Sequence, residues 1–255
     1  MKRRRIACVS VVILLAAISA AAQTPKEPGT ITALEVQTPK NGMVQQYEAG
    51  RKAKAAWHKQ QNDPQVLWVL EIMTGDNTGS YIVGRSDQHW ADFDKPPIPD
   101  QADMDEYNKV LGQYVDKMHA SYWEYLPKLS NPGKDMGDKY TSVTTFQIRF
   151  GKGDDFRSAI SRMHDAAEKT NWGYHYRWER LASGGPGGTY VLLVDHPNWA
   201  SFDDDPAIKP LRDILREAFG EQESMSIVER LNSSIEKTYS EIVEFRADLS
   251  YIPGK

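Results

Sequence analysis

The pattern of hydrophobic and polar positions predicts alternating strands and helices along the chain. Residues 32–36 alternate between two faces with a period of two, which predicts a strand. Residues 43–61 are rich in Ala, Gln, Lys and Glu, and this composition favours a helix. Two runs of apolar, β-branched and aromatic residues, 66–73 and 80–85, then flank a turn rich in Gly, Asn and Asp, which predicts a β-hairpin.

A second helix and a closing strand complete this first unit. The helix is indicated by apolar residues at helical spacing, namely Met104, Tyr107, Val110, Leu111, Tyr114, Val115 and Met118. A strand follows near residues 122–129. The first half of the chain therefore consists of strand, helix, two strands, helix and strand.

The same series of elements recurs in the second half of the chain. Residues 74–94 correspond to residues 183–203 at a shift of 109 positions, with seven identities in 21 positions. The identical pairs are Gly75 and Gly184, Gly79 and Gly188, Tyr81 and Tyr190, Trp90 and Trp199, Ala91 and Ala200, Phe93 and Phe202, and Asp94 and Asp203. The first helix of the second copy has one apolar face, formed by Phe156, Ala159, Ile160, Met163 and Ala167. A constant shift with these identities indicates two copies of one unit.

The order of elements predicts an α+β fold built from two tandem ferredoxin-like βαββαβ units. Each unit gives a four-stranded antiparallel sheet with both helices on one face, and the uncovered faces are expected to join into one intramolecular α/β barrel. The predicted boundaries are residues 30–130 for the first repeat, 131–138 for a linker and 139–250 for the second repeat. Because the linker is short, we expect a monomer able to close its own barrel, with further self-association left open.

On this element order and repeat, residues 30–250 resemble the dimeric α/β-barrel superfamily. That superfamily includes antibiotic-biosynthesis-type monooxygenases, EthD-like and NIPSNAP-like proteins, haem-degrading monooxygenases and chlorite dismutases. No catalytic motif of these families is matched, so the resemblance implies the fold far more strongly than an activity.

The N-terminal residues predict export. A basic cluster at residues 2–5, an apolar run over 6–18 and Ala20-Ala21-Ala22 are typical of a secretory signal peptide, residues 1–22, followed by a disordered leader, 23–29. We expect a soluble periplasmic or extracellular protein without a membrane anchor after cleavage. Removal of four basic residues takes the formal net charge from −4 to −8, which disfavours nucleic acid as a partner.

The repeated Trp-Ala-x-Phe-Asp segments are interpreted as packing elements. Trp90 and Phe93, like Trp199 and Phe202, are three positions apart, which puts both rings on one side of a helical turn. We expect both tryptophans to be buried between the sheet and the second helix, with a cost on the order of 3–5 kcal/mol when either is changed to Ala.

The strand over residues 171–180 has the most unusual composition. His175, Arg177 and Glu179 share one face, whereas Tyr176 and Trp178 lie on the other. The repeat aligns the polar face with an apolar one in the first copy that contains Trp68. Either the polar face points into the barrel and forms a ligand site, or it lies at a solvated edge with the aromatic face toward the helices.

Two classes of function follow. The first is a small-molecule-binding barrel, either a binding protein or a cofactor-independent oxidoreductase, with the strand above and Trp68 as its site. The second is a non-catalytic structural or protein-interaction module. No metal site is predicted, because the histidines lack zinc-ligand spacing. No cofactor is predicted either, although the resemblance, in which a helix histidine can bind haem, makes His164 a haem-ligand candidate and a haem-binding protein a third reading.

Overall fold

The computed structural model of the chain describes residues 28–133 and 138–254. The predicted signal peptide, residues 23–27 of the predicted leader and residues 134–137 of the predicted linker lie outside the described residues. Within the described ranges, no helix combines the length and the apolar character needed to cross a lipid bilayer.

The first repeat contains four strands and two helices in the predicted order. These are β1 (Ile31–Pro39), α1 (Val44–Gln60), β2 (Trp68–Ile72), β3 (Tyr81–Gln88), α2 (Asp100–Val110) and β4 (Val115–Tyr125). The hairpin turn between β2 and β3 uses Gly75 and Gly79 at positive φ, and the corresponding turn of the second repeat uses Gly184 and Gly188 in the same way. The repeated glycines therefore have a backbone requirement in common.

The second repeat has the same order with one additional helix. Its elements are β5 (Tyr140–Ile148), α3 (Gly153–Lys169), β6 (Arg177–Ser183), β7 (Thr189–His196), α4 (Leu211–Phe219), α5 (Glu221–Ser234) and β8 (Ile235–Phe245). Helix α5 begins directly after Gly220, which has a φ of 81°, so the chain reverses between α4 and α5 without a longer loop.

The eight strands close into a barrel of antiparallel pairs in the order β1-β3-β2-β8-β5-β7-β6-β4. Each repeat contributes four neighbouring strands, and two seams join the repeats, β2 with β8 and β4 with β6. The predicted α+β class and tandem ferredoxin-like barrel are therefore confirmed. Closure also pairs every strand on both sides, which removes the sheet edges.

The two repeats exchange their C-terminal tails in a reciprocal way. The tail after β4 crosses to the second repeat, where Ser130 Oγ accepts a hydrogen bond of 2.9 Å from the Trp178 backbone N–H. The tail after β8 crosses to the first repeat, where Ser250 Oγ accepts one of 2.9 Å from the Val69 backbone N–H. Val69 and Trp178 are equivalent positions at the shift of 109, so the same hydrogen bond from a strand N–H to a serine of the other repeat's tail occurs twice. Leu249 is fully buried in the core of the first repeat.

The prediction that Trp90 and Trp199 are buried is wrong. Their side chains are 53% and 51% exposed, in short 3-10 turns that begin at each tryptophan. Trp90 packs one side against Phe93 and Tyr122, with ring centroids 5.9 and 5.4 Å apart. Helical spacing brings the repeated rings together, as expected, but neither turn is covered by a helix. Their truncation therefore removes much less buried area than the ~3–5 kcal/mol expected for a core aromatic residue.

A folded monomer is the expected state of the protein in dilute solution. In the sequence only the short predicted linker, residues 131–138, separates the repeats, and such a connection holds one repeat near the other at roughly millimolar effective concentration. Sedimentation velocity over about a hundredfold dilution should therefore show a folded monomer at the lowest concentration. An obligate dimer, in which the first repeat of one chain pairs only with the second repeat of another, would contradict this expectation.

Candidate functional site

Helix α1 turns a polar face toward the sheet. Its buried residues are Tyr47, Gly50, Arg51, Lys54 and His58, at the spacing of an ordinary core stripe. Gly50 permits close contact with the end of α2, because a Cβ atom there would lie 2.4 Å from the Val110 carbonyl oxygen. The polar stripe is consequently held tightly inside the first repeat and away from bulk water.

The second repeat has apolar residues at the equivalent positions. Six polar residues of the first repeat align with apolar ones at the shift of 109: Gln37 with Phe146, Arg51 with Ile160, Lys54 with Met163, His58 with Ala167, Asp63 with Trp172 and Arg85 with Val194. The apolar partners belong to the two hydrophobic clusters that fill the space between helices and sheet. In the first repeat the same space holds a cavity of about 190 Å³. One repeat is thus packed, whereas the other is hollow and polar.

The cavity lies between the outer face of the sheet and helices α1 and α2. Its polar lining includes Glu35, Gln37, Arg51, Lys54, His58, Arg85 and Asp103. Apolar lining is supplied by Leu67, Val83, Met104, Met118 and Tyr107. Met104 and Met118 are themselves exposed, so the mouth of the cavity opens between α2 and β4. A mixed lining of this kind is typical of small-molecule sites.

His58 is the most deeply placed titratable group of the cavity, with 1% of its surface exposed. Its Nδ1 lies 2.9 Å from Asp63 Oδ2, and its Nε2 lies 3.4 Å from Asp103 Oδ1. The ring is turned so that neither nitrogen makes a well-aligned hydrogen bond within the described residues. The imidazole stacks on Tyr251, with centroids 5.9 Å apart, and that residue comes from the tail of the second repeat. His58 is therefore fixed in place by its surroundings with Nε2 on the cavity side.

Asp63 behind His58 is a buried carboxylate with several partners. Its Oδ1 accepts a hydrogen bond of 3.0 Å from the Gln65 backbone N–H, and its Oδ2 accepts one of 3.2 Å from Arg85. Burial raises the pKa of Asp63, but His58, the Gln65 N–H and Arg85 together outweigh it, so the pKa lies below its ordinary value. Asp63 is accordingly a permanent negative charge beside the imidazole.

Lys54 and Asp103 form the second charged pair of the cavity. Lys54 Nζ donates to the Asp103 carbonyl oxygen at 2.6 Å and lies 3.1 Å from Asp103 Oδ1. The ammonium group also lies 4.1 Å from the centre of the Trp57 ring. Burial lowers the pKa of Lys54, and the neighbouring Asp103 opposes that effect. This pair ties α1 to α2 over the cavity.

Arg51 differs from the other charged groups because it has no partner among the described residues. Its side chain is 2% exposed, and neither Nε nor Nη2 meets a hydrogen-bond acceptor there. Burial lowers the pKa of Arg51, while the charges of Tyr47, Glu35 and Asp103 oppose that shift. A buried guanidinium in this condition is costly, so it marks a position at which the fold has not optimised stability.

The residues predicted as a site from the sequence lie on two sides of the sheet. Trp178 packs against Phe156 of α3, so Arg177 and Glu179, which alternate with it, point into the barrel. Trp68 points into the barrel by the same reasoning, because Val69 packs in the core beside α1. The aromatic face is therefore toward the helices and the polar face toward the interior. No edge is involved, because β6 pairs with both β4 and β7.

Inside the barrel Arg177 is paired. Its Nη2 donates to both carboxylate oxygens of Asp195 at 2.9 and 3.0 Å. Glu179 has no such partner in the described part of the chain, and burial raises its pKa to about 6, opposed by Arg177. Tyr176 lies on the helix side, and His175 is exposed next to Gly133. The structure does not bring the predicted site residues into one pocket.

His164 lies on α3 in surroundings that do not fit a haem. Its Nδ1 is 3.3 Å from the Tyr176 hydroxyl and its Nε2 is 3.6 Å from Glu168. Tyr176 belongs to the aromatic cluster that contains Phe156 and Trp178. The first-repeat cavity, at about 190 Å³, is also smaller than the ~300 Å³ at which drug-sized pockets begin. Over residues 28–133 and 138–254, no group of three or more His, Cys, Asp or Glu side chains is placed to hold a metal ion.

The sequence contains a signal for the α1 cavity that sequence reasoning missed. The apolar stripe of α3 is visible in the sequence, and Tyr47 aligns with its first residue, Phe156. Extending that alignment by four, seven and eleven positions would have placed Arg51, Lys54 and His58 on the core face of α1. For Asp63 and Asp103, which lie outside the stripe, no comparable signal exists.

Comparisons with known proteins identify solved structures that share this fold. No protein-family model matches the chain, and no curated protein matches it. A candidate monooxygenase from Lactobacillus acidophilus superposes with a TM-score of 0.54 at 8% identity, over 89% of this chain and 97% of the other. An anthrone oxidase-like protein superposes with a TM-score of 0.51 at 13% identity, over 90% of this chain and 95% of the other. Chlorite dismutase from Candidatus Nitrospira defluvii in complex with imidazole superposes with a TM-score of 0.51 at 8% identity, over 87% of this chain and 93% of the other. At these identities the likeness establishes a shared fold.

Two substitutions at equivalent positions of the repeats, Arg51→Ile and Ile160→Arg, should have opposite effects on the free energy of unfolding. Arg51→Ile removes an unpaired buried charge and is expected to raise the free energy of unfolding by about 1 kcal/mol or more. The reverse change, Ile160→Arg, introduces such a charge into a packed core and should cost several kcal/mol. Urea midpoints of both variants test this. A clear loss of stability in Arg51→Ile would mean that Glu35 compensates the guanidinium.

Glu179 should make stability depend on pH between about 4.5 and about 6. Its carboxyl ionises at a lower pH in the unfolded chain, where its pKa is 4.5, than in the barrel, where it is about 6. Stability contributed by the protonated form is therefore present below pH 4.5 and lost as the pH rises through 6. Glu179→Gln should remove this loss, worth on the order of 1 kcal/mol at pH 8. The exposed Glu236→Gln serves as control, and equal pH profiles for both variants would contradict the assignment.

Proposed function

We propose that the chain is a small-molecule-binding α/β barrel whose site is the first-repeat cavity, and that it acts there as a cofactor-independent oxidoreductase. The observation that carries this proposal is His58, a buried histidine that borders a cavity where the second repeat has Ala167 and a packed core. Charged groups buried at a cost to stability are typical of functional sites.

The cavity suits a molecule of about one ring. Its volume of about 190 Å³ lies between the ~150 Å³ cavity that holds benzene and the ~300 Å³ of drug-sized pockets. Leu67, Val83 and Met104 supply apolar walls, and α1 contributes Arg51, Lys54 and His58. A small phenol or enolisable ring compound matches this division.

His58 is the proposed base. Asp63 beside Nδ1 orients the ring, and its negative charge favours the imidazolium that forms when Nε2 accepts a proton. The 3.4 Å separation between Nε2 and Asp103 is longer than an ordinary N–H···O hydrogen bond, so the hydrogen bond of this buried nitrogen is not made within the described residues. Asp103 then lies close enough to stabilise the protonated ring.

The reaction that fits these groups uses molecular oxygen as the oxidant. His58 takes a proton from an activated methylene, and the resulting carbanion donates an electron pair to O₂ and forms a C–O bond. The peroxide regains the proton from His58, and elimination of water leaves a carbonyl, so that CH₂ and O₂ become C=O and H₂O. The fold relatives described as a candidate monooxygenase and an anthrone oxidase-like protein support this class of reaction. Export through the predicted signal peptide, residues 1–22, would place the reaction outside the cytoplasm.

Oxygen uptake by purified mature protein with single-ring phenols and enols tests the proposal. His58→Gln should reduce the rate by about 10²-fold or more, as expected for loss of a general base. His164→Gln, which changes the histidine of the equivalent helix in the second repeat, is the matched control and should keep the rate of the unmodified protein. Equal rates for His58→Gln and the unmodified protein would contradict the role of His58, and loss of activity only in His164→Gln would move the site to the second repeat.

A further inference from the structure

We infer that the ligand of the first-repeat cavity carries an ionised oxygen, as a carboxylate, phenolate or enolate on a single ring, and that Arg51 binds it. This inference rests on the proposed function only in using the same cavity as a ligand site. It is independent of whether His58 transfers a proton or oxygen is consumed.

The guanidinium of Arg51 borders the cavity and is without acceptors. Nε and Nη2 are both buried, and neither meets a hydrogen-bond partner in residues 28–133 and 138–254. An arginine side chain presents its N–H groups as a planar fork that matches the two oxygens of a carboxylate. Buried polar groups in proteins nearly always have partners, so a ligand that enters the cavity is expected to supply the missing acceptors.

The carboxylates nearest to the cavity are already engaged by other groups. Asp63 contacts His58 and Arg85, and Asp103 contacts Lys54. Among the lysine and arginine side chains of the lining in the described part of the chain, these pairs leave Arg51 as the one whose hydrogen bonds remain to be made.

Glu35 is, with Asp103, one of the two carboxylates of the lining, and it too has a partner. Its Oε2 accepts a hydrogen bond of 2.7 Å from Gln37, and the Gln37 carbonyl oxygen accepts one of 2.9 Å from the Tyr47 hydroxyl. This chain of side chains holds Glu35 toward Gln37. Glu35 is near enough to raise the pKa of Arg51, so it keeps the guanidinium charged without supplying its hydrogen-bond acceptors.

The remaining lining determines what the ionised oxygen is attached to. Leu67, Val83 and Tyr107 form apolar surface within the same small volume. A free inorganic anion would leave this surface in contact with water, whereas a ring would cover it. The favoured ligand class is therefore a small aromatic or alicyclic acid, and a separate small anion is the other source of the same chemistry.

Binding of benzoate, benzamide and formate to the mature protein, measured by calorimetry at constant ionic strength, tests this inference. Benzoate should bind at least about tenfold more tightly than benzamide, its neutral isostere, and than formate, which lacks the ring. Arg51→Met should weaken the binding of benzoate by about tenfold or more and leave the affinity for benzamide unchanged. The unchanged affinity for benzamide would also show that the cavity is intact. Arg157→Met, which removes an exposed arginine from α3, is the matched control and should leave benzoate binding unchanged.

Several results would overturn the inference. Equal affinity for benzamide and benzoate, or unchanged benzoate binding in Arg51→Met, would show that Arg51 does not select an ionised group. Formate binding as tightly as benzoate would show a site for a small anion only. Absence of binding by all three would remove the cavity as an acid site. Benzoate binding that depends on Arg51, in a protein without oxygen uptake, would support this inference while contradicting the proposed reaction.

Discussion

The two seams between the repeats are the constraint on which the rest of the structure depends. A single ferredoxin-like sheet has an uncovered face and two free edges, and neither is stable in water without a partner. The β2–β8 and β4–β6 pairings remove both edges of each sheet and enclose both faces. The exchanged tails then fix the seams, because Ser130 and Ser250 bind backbone groups of the opposite repeat. Every helix is positioned on a barrel that exists only when both repeats are present.

The two repeats of this molecule differ in that one buries apolar side chains where the other buries charged ones. The second repeat fills the space beneath α3 with Phe156, Ile160 and neighbouring aromatic rings. The first repeat places Arg51, Lys54 and His58 on the same helical face. Buried charges of this kind oppose folding, and a small domain has little stability to spare. Because one barrel joins the two repeats, the apolar core of the second supports the polar cavity of the first.

The fold was largely predictable from the sequence, and the site was not. The repeat and element order predicted the barrel, since glycine turns and alternating strands are local signals. Trp90 and Trp199 were misplaced because spacing alone does not show whether a helix covers a turn. The polar strand with Arg177 and Glu179 drew attention to the second repeat, although Arg177 is paired with Asp195 inside the barrel. The sequence alignment of α1 with α3 already shows charged residues opposite apolar ones. The lack of a hydrogen-bond partner for Arg51 could not be predicted, because it depends on the positions of Asp63 and Asp103 in the folded chain.

The exchanged tail after β8 reaches the candidate site itself. Tyr251 stacks on the His58 ring, and its hydroxyl donates a hydrogen bond of 2.6 Å to the Asp63 carbonyl oxygen. Nearly two hundred positions of sequence separate these residues, so the first repeat, as it leaves the ribosome, lacks the ring that stacks on His58. The imidazole acquires its final surroundings only when the segment after β8 has been synthesised and docked. The second repeat is thus a condition for the final placement of His58 in the first.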